Sequence, residues 1–324
     1  MKRKWSALLY VAVANCAIAL SATAQTYPTK TLRLIVPLAP GGPSDILART
    51  MAAKLTEALK QTVVVDNRPG AGGTLGTELA AKSPPDGYTL LLMGVSTLTI
   101  NASLYPKLPY DTLKDLTAIS VLAGAPYLLV VHPSLPVKSL KELIALAKQH
   151  PGQLNYASGG TGTGPHLAME VLKDQVHMKI EHIPYKGAGP AMNDLIAGQV
   201  QVMMVNMIAG LPMVKAGRMR AIGQSGAKRS PGAPDIPTFA DGGAAGYDST
   251  GQHGMWFPAG TPREIVMRVN REVVKALHSK EVSERLAAEG AAVVGNTPEE
   301  AQAIVRNDVA KWAEVIRKLG LKAN

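Results

Sequence analysis

Three times before residue 175, an apolar run of strand length leads into a glycine-dense turn and then a helical pattern, the rhythm of a mainly parallel α/β sheet. Residues 32–36 are the first run. Pro40-Gly41-Gly42-Pro43-Ser44-Asp45 follows, and Leu47, Met51, Leu55 and Leu59 then recur every four residues, as on one face of a helix. The second round has Val63-Val64-Val65, a glycine-rich loop over 67–73 and a helical stretch over 74–82. A third strand is expected over 88–93, after the turn Pro84-Pro85-Asp86-Gly87.

A second α/β set starts with a strand over 127–131. Ser139 and Glu142 read as a capping box that opens a helix running through Lys148. A strand over 154–157 leads into the loop 158–164, and Pro165 suits the first turn of a helix ending near Lys173. Strands are expected over 180–183, 200–205 and 220–222, with a helix over 191–197. After a loop rich in Gly, Pro and Asp over 230–251, residues 254–257 read as a returning strand and the remainder as helices. Thr261 with Glu264 and Thr297 with Glu300 read as capping boxes, and Ala301, Val305, Val309, Trp312 and Ile316 form one apolar stripe.

Lys2, Arg3 and Lys4, an apolar run over 7–20 and Ala22-Thr23-Ala24 have the layout of a secretory signal, with cleavage expected after Ala24 and a mature start at Gln25 in the periplasm. Cys16 is the only cysteine, and Asn15 before it does not suit a lipid-acceptor site. Disulfides, cysteine nucleophiles and thiolate metal sites are therefore excluded after the leader. A chain of 324 residues with 46% hydrophobic and 18% charged residues holds enough apolar surface for two domains, or one large one, and is no disordered chain. Aromatics at 4% are too few for a surface that stacks bases or sugars. The net charge of +10 favours anionic ligands or an anionic membrane face, and export makes nucleic acid an unexpected partner.

The glycine-dense turns after residues 36, 65 and 157 either are ordinary tight turns or let backbone N–H groups at helix N-termini approach a carboxylate or phosphate. Residues 70–77 lack the lysine of a phosphate-binding loop, the glycines over 159–164 do not follow the dinucleotide spacing, and no nucleophile elbow surrounds Ser96, Ser158 or Ser225. Of the seven histidines, only His166 pairs with an acid, Glu170, at i, i+4 on a helix, so neither a metal site nor a cofactor is expected. His166 is a helix-start packing residue or a donor facing a cleft; Lys186 is an anion partner or a solvated loop residue. No acid and base pair for catalysis, and no catalytic residue is expected.

The run from Leu34 through Pro40-Gly-Gly-Pro-Ser-Asp45 to Arg49 closely resembles the start of the tripartite tricarboxylate transporter receptors, the Bug proteins. Asn67-Arg-Pro-Gly-Ala-Gly-Gly73, residues 84–92, Tyr156-Ala-Ser-Gly-Gly-Thr-Gly-Thr-Gly-Pro-His166 and Pro184-Tyr-Lys-Gly187 follow in that family's order. The resemblance implies a type II periplasmic binding protein, with two α/β domains joined by two crossover strands around a ligand cleft. Domain 1 is then expected over 25–124 and 253–324, and domain 2 over 125–252. It further implies that Pro40, Gly41, Gly42 and Asp45 face Ser158, Thr161, Gly162 and Thr163 across a ligand carboxylate. Ala71, Gly72, Ser96, Thr97, His166, Tyr185, Lys186 and Gly187 would complete the walls. Asn206 stands where the family often has an acidic residue, which argues against a ligand amine. The function so implied is a monomeric, non-enzymatic receptor that delivers a small organic carboxylate to membrane transporter subunits, or alternatively a sensor docking on a membrane signalling protein such as a sensor kinase.

Overall fold

The computed structural model describes residues 27–323, so the leader over 1–24 and its cleavage lie outside the described residues. The chain runs β1 (Leu32–Val36), α1 (Pro43–Leu59), β2 (Val63–Asn67), a single 3-10 turn (Ala71–Gly73), α2 (Thr74–Ala81), β3 (Thr89–Gly94) and α3 (Val95–Leu104). It continues through β4 (Leu116–Val131), α4 (Leu140–Gln149), β5 (Asn155–Ser158), α5 (Gly164–Val176), β6 (Glu181–Pro184), α6 (Ala188–Ile196), β7 (Val202–Asn206), α7 (Met207–Lys215) and β8 (Arg220–Gln224). It ends with β9 (Thr250–Pro258), α8 (Arg263–Leu277), α9 (Lys280–Ala288), β10 (Ala292–Val293) and α10 (Pro298–Leu319).

Leu32, Leu34 and Val36 of β1 are fully buried, and so is Ile35 on the opposite face, as a parallel strand covered by helices on both sides requires. The strand order is β2-β1-β3-β9-β4-β7-β5-β6, with β8 and β10 added along β4. Two lobes share this curled sheet: β1, β2 and β3 are parallel in one, and β5, β6 and β7 in the other. Two long antiparallel strands, β4 and β9, join them. β4 pairs β9 from Leu116 to Pro126 and then passes to β7 and β8 from Tyr127 and Leu128 onward.

Leu47, Met51, Leu55 and Leu59 lie on the buried face of α1, as their spacing predicts. Ala301, Val305, Trp312 and Ile316 do the same for α10, with Val309 half-buried; Trp312 and Ile316 reach Leu167 of α5 in the other lobe. The capping box at the start of α10 forms: Glu300 N–H donates to Thr297 Oγ1 at 3.3 Å and Thr297 N–H to Glu300 Oε2 at 2.9 Å.

Three local expectations need correction. The strand over 127–131 is only the end of a 16-residue strand, whose first part, with both faces buried, shows no alternation. Thr261 does not cap α8, because its hydroxyl donates to the Pro258 carbonyl at 2.8 Å instead. α3 and α7 were not expected: α3 is buried from Val95 to Asn101, so it carries no one-sided apolar stripe to recognise.

Candidate functional site

At the carboxyl ends of β1 and β5, two glycine loops turn into α1 and α5. The first is held by Asp45, whose carboxylate accepts from Gly41 N–H at 3.0 Å and from Arg49 Nε and Nη2 at 3.0 Å each. Burial alone would raise that carboxyl, but the Arg49 guanidinium and the Gly41 N–H outweigh it and hold it below its ordinary range. In the second loop Ser158 Oγ accepts from Gly160 N–H at 3.1 Å and shares a 2.7 Å hydrogen bond with His182 Nε2. His166 Nδ1 accepts from Gly162 N–H at 3.3 Å, and its ring stacks on His182 at 4.2 Å between centroids.

The two lobes meet directly along this seam. Ala39 N–H donates to Lys186 O at 2.9 Å, Tyr105 OH to Thr161 O at 3.2 Å, and Gly164 N–H to Thr97 Oγ1 at 3.2 Å. Gly72 shows how close the approach is: at φ +61° it takes a backbone shape open to glycine, and a Cβ there would lie 2.0 Å from Thr161 O. The molecule is in a closed arrangement.

Behind the seam lies a narrow cavity of about 40 Å³, well below the roughly 300–1,000 Å³ of small-molecule sites, so the lobes must part to admit a ligand. Five helices point their N-termini at it: Ser44 of α1, Ser96 and Thr97 of α3, Thr163 and Pro165 of α5, Ala188 of α6 and Asn206 of α7 all line its wall. The first N–H groups of each helix have no intrahelical acceptor and carry the positive end of the dipole. No Lys, Arg, Asp or Glu is among the lining residues. Its polar surface is therefore neutral in formal charge and biased toward an anion.

The family of the tripartite tricarboxylate transporter receptors matches residues 47–321. Protein BugT of Bordetella pertussis is 39% identical over 317 residues, covering 98% of this chain and 97% of BugT. The chain belongs to the tripartite tricarboxylate transporter receptor family. Two solved structures share its fold closely. R. palustris Rpa4515 with adipate has a TM-score of 0.88 at 36% identity, covering 91% of this chain and 99% of its own. MatC from Rhodopseudomonas palustris with bound malate has a TM-score of 0.86 at 32% identity, covering 90% and 100%. The expected fold, a two-domain binding protein, is the one this receptor adopts.

The seventeen expected wall residues separate into three places in this receptor. Ser96, Thr97, Thr163 and Asn206 line the enclosed cavity. Ala71, Gly72, Thr161, His166, Tyr185 and Lys186 border an open groove on the outer side of the seam. Pro40, Gly41, Gly42, Gly162 and Gly187 lie at the seam itself, where the lobes touch, and Asp45 and Ser158 brace their own loops. Lys186 is exposed, and His166 is buried and engaged as an acceptor rather than a donor at Nδ1. Burial, with Lys173 nearby, pushes His166 down to about 4.

Asn206 lines the cavity with its amide already engaged. Oδ1 accepts from Ile208 N–H at 3.1 Å and caps α7, while Nδ2 donates to Ala125 O at 3.3 Å and Gly251 O at 3.2 Å. One lone pair of Oδ1 is what remains for another donor. Sequence reasoning missed Tyr127, Gln252, His253, Met203 and Met204, which also line the cavity. The two polar residues interrupting β9 just before its apolar Met255-Trp256-Phe257 were the available signal.

Proposed function

We propose that this receptor captures a small, amine-free organic carboxylate in the periplasm and delivers it to membrane transporter subunits. The observation that carries the reading is the cavity wall, in which five helix N-termini converge and no acidic side chain appears. An anion gains from the aligned N–H groups and dipoles, whereas a buried ammonium would find no carboxylate to pair with. The adipate and malate bound by Rpa4515 and MatC support the same ligand class. No helix among the described residues is long and apolar enough to cross a membrane, in keeping with a receptor that meets its transporter from outside the bilayer.

Domain 1 is read as 25–124 plus 253–324 and domain 2 as 125–252, supported by the change of partner that β4 makes between Pro126 and Tyr127. Binding is then a closure about these two crossings. The test is a panel of matched dicarboxylates and hydroxy acids, each with and without an amino group, measured by thermal shift and calorimetry. Amine-free acids are expected to raise the melting temperature and to bind at least tenfold more tightly than their amino counterparts, about 1.4 kcal/mol. A preference for the amino acids would overturn the reading.

A further inference from the structure

The strongest polar irregularity in the cavity is His253. It sits on β9 between Gly94 of β3 and Ala123 of β4, lines the cavity, and is only 5% exposed. Among the described residues its Nδ1 has no hydrogen-bond partner. A buried ring nitrogen without a partner costs free energy in either neutral tautomer, so a ligand that satisfies it recovers that cost. We infer that His253 is a specificity residue of the carboxylate site: a bound acid places a carboxylate against its ring, and the ring takes up one proton from solvent to form a charge-assisted pair.

The surroundings leave this role to His253. β3 offers Gly94, α3 offers the neutral hydroxyls of Ser96 and Thr97, and β4 offers Tyr127. Burial first, and then the Asp308 carboxylate, raises Tyr127 above its ordinary range, so it stays a neutral phenol. Asp308 of α10 is itself committed, accepting from Thr99 Oγ1 at 2.7 Å and Trp312 Nε1 at 3.1 Å. No lysine or arginine lines the cavity, so imidazolium is the one full positive charge the wall can generate. Burial holds His253 down to about 4, and no neighbouring charge adds to the shift. The empty site is therefore neutral at periplasmic pH. An opposite charge within about 4–6 Å raises such a group by roughly 1–3 units, which brings it to the range where binding and protonation become linked. The ligand enters as its anion together with a proton, and an acid lacking a carboxylate at this position gains nothing from the ring.

This rests on the carboxylate reading above, and the experiment separates the two. Adipate and malate are titrated calorimetrically into the wild type and His253→Gln at pH 6 and pH 8, in buffers of different ionisation enthalpy, with melting curves to verify folding. Wild type is expected to take up roughly half a proton or more per acid at pH 6 and far less at pH 8, and His253→Gln none. In parallel, the wild-type His253 ring resonance should titrate below pH 5 in the free protein and shift up by about two units or more with acid bound. No proton uptake by the wild type, equal uptake by the variant, or an unmoved resonance would sink the inference while leaving carboxylate binding standing. Binding of neither acid, nor of any acid in the wider panel, would remove the carboxylate reading and this inference with it.

Discussion

Gly42 and Gly162 occupy matching places in the two loops yet differ in their tolerance of a side chain. Gly42 has an ordinary φ of −88°, and a Cβ there would meet Ala188 Cβ at 3.4 Å, a normal contact. Gly162 has φ +85°, and its Cβ would fall 2.4 Å from Asn101 Oδ1, on a side chain pinned by its bond to Gly72 O. Backbone strain and a blocked seam therefore act together at Gly162 and not at Gly42. Gly162→Ala is expected to weaken binding of a carboxylate ligand at least tenfold, about 1.4 kcal/mol, and Gly42→Ala less than twofold. Calorimetry on both variants beside their melting curves checks this, and the reverse order would contradict the seam geometry.

At the scale of elements, Asn206 connects three of them. Its side-chain carbonyl caps α7, and its amide NH2 spans the carbonyls of Ala125 on β4 and Gly251 on β9, so one side chain ties a helix start to both strands that cross between the lobes. Asn206→Asp keeps the cap, and even suits the helix dipole, but sets a carboxylate oxygen against two carbonyl oxygens. Two buried acceptors then lose their donor, at a cost of about 1–3 kcal/mol. The variant is expected to melt several degrees lower in the absence of ligand. A melting temperature equal to wild type would show that the tie between the crossing strands contributes nothing. α1, α5 and α10 announce themselves by proline starts and apolar spacing, whereas α3, buried nearly all round, and α7, apolar along almost its whole length with Pro212 inside it, do not, because neither has a polar face to set a period.

For the whole molecule, closure joins loops that lie far apart in the chain. Tyr105, at the end of α3, donates across the seam to Thr161 O, and α10 packs Trp312 and Ile316 against Leu167 of the facing lobe. Such contacts favour the closed form only if the open form lacks them. Tyr105→Phe deletes one hydrogen bond of the closed form, worth about 0.5–1.5 kcal/mol, and is expected to lower affinity roughly two- to tenfold. Small-angle scattering of the ligand-free variant should show a larger radius of gyration than wild type. An unchanged radius with unchanged affinity would mean that the lobes do not part at Tyr105.

The α/β class, the glycine loops, the capping box at Thr297 and the apolar stripe on α10 were all legible in the sequence, because each depends on neighbours within a few residues. Periodicity reports which face of an element is buried, and glycine or proline reports where the backbone must turn. The family motifs extended this to the two-lobed architecture. Only the tertiary structure decided what walls the cavity. Tyr127 of β4, Met203 and Met204 of β7, and Gln252 and His253 of β9 come together there because β4 and β9 cross between lobes, and no local pattern encodes a non-local strand pairing. The neutrality of that wall and the unpartnered Nδ1 of His253 are properties of the assembly of distant residues, since desolvation and missing partners exist only once the chain has packed.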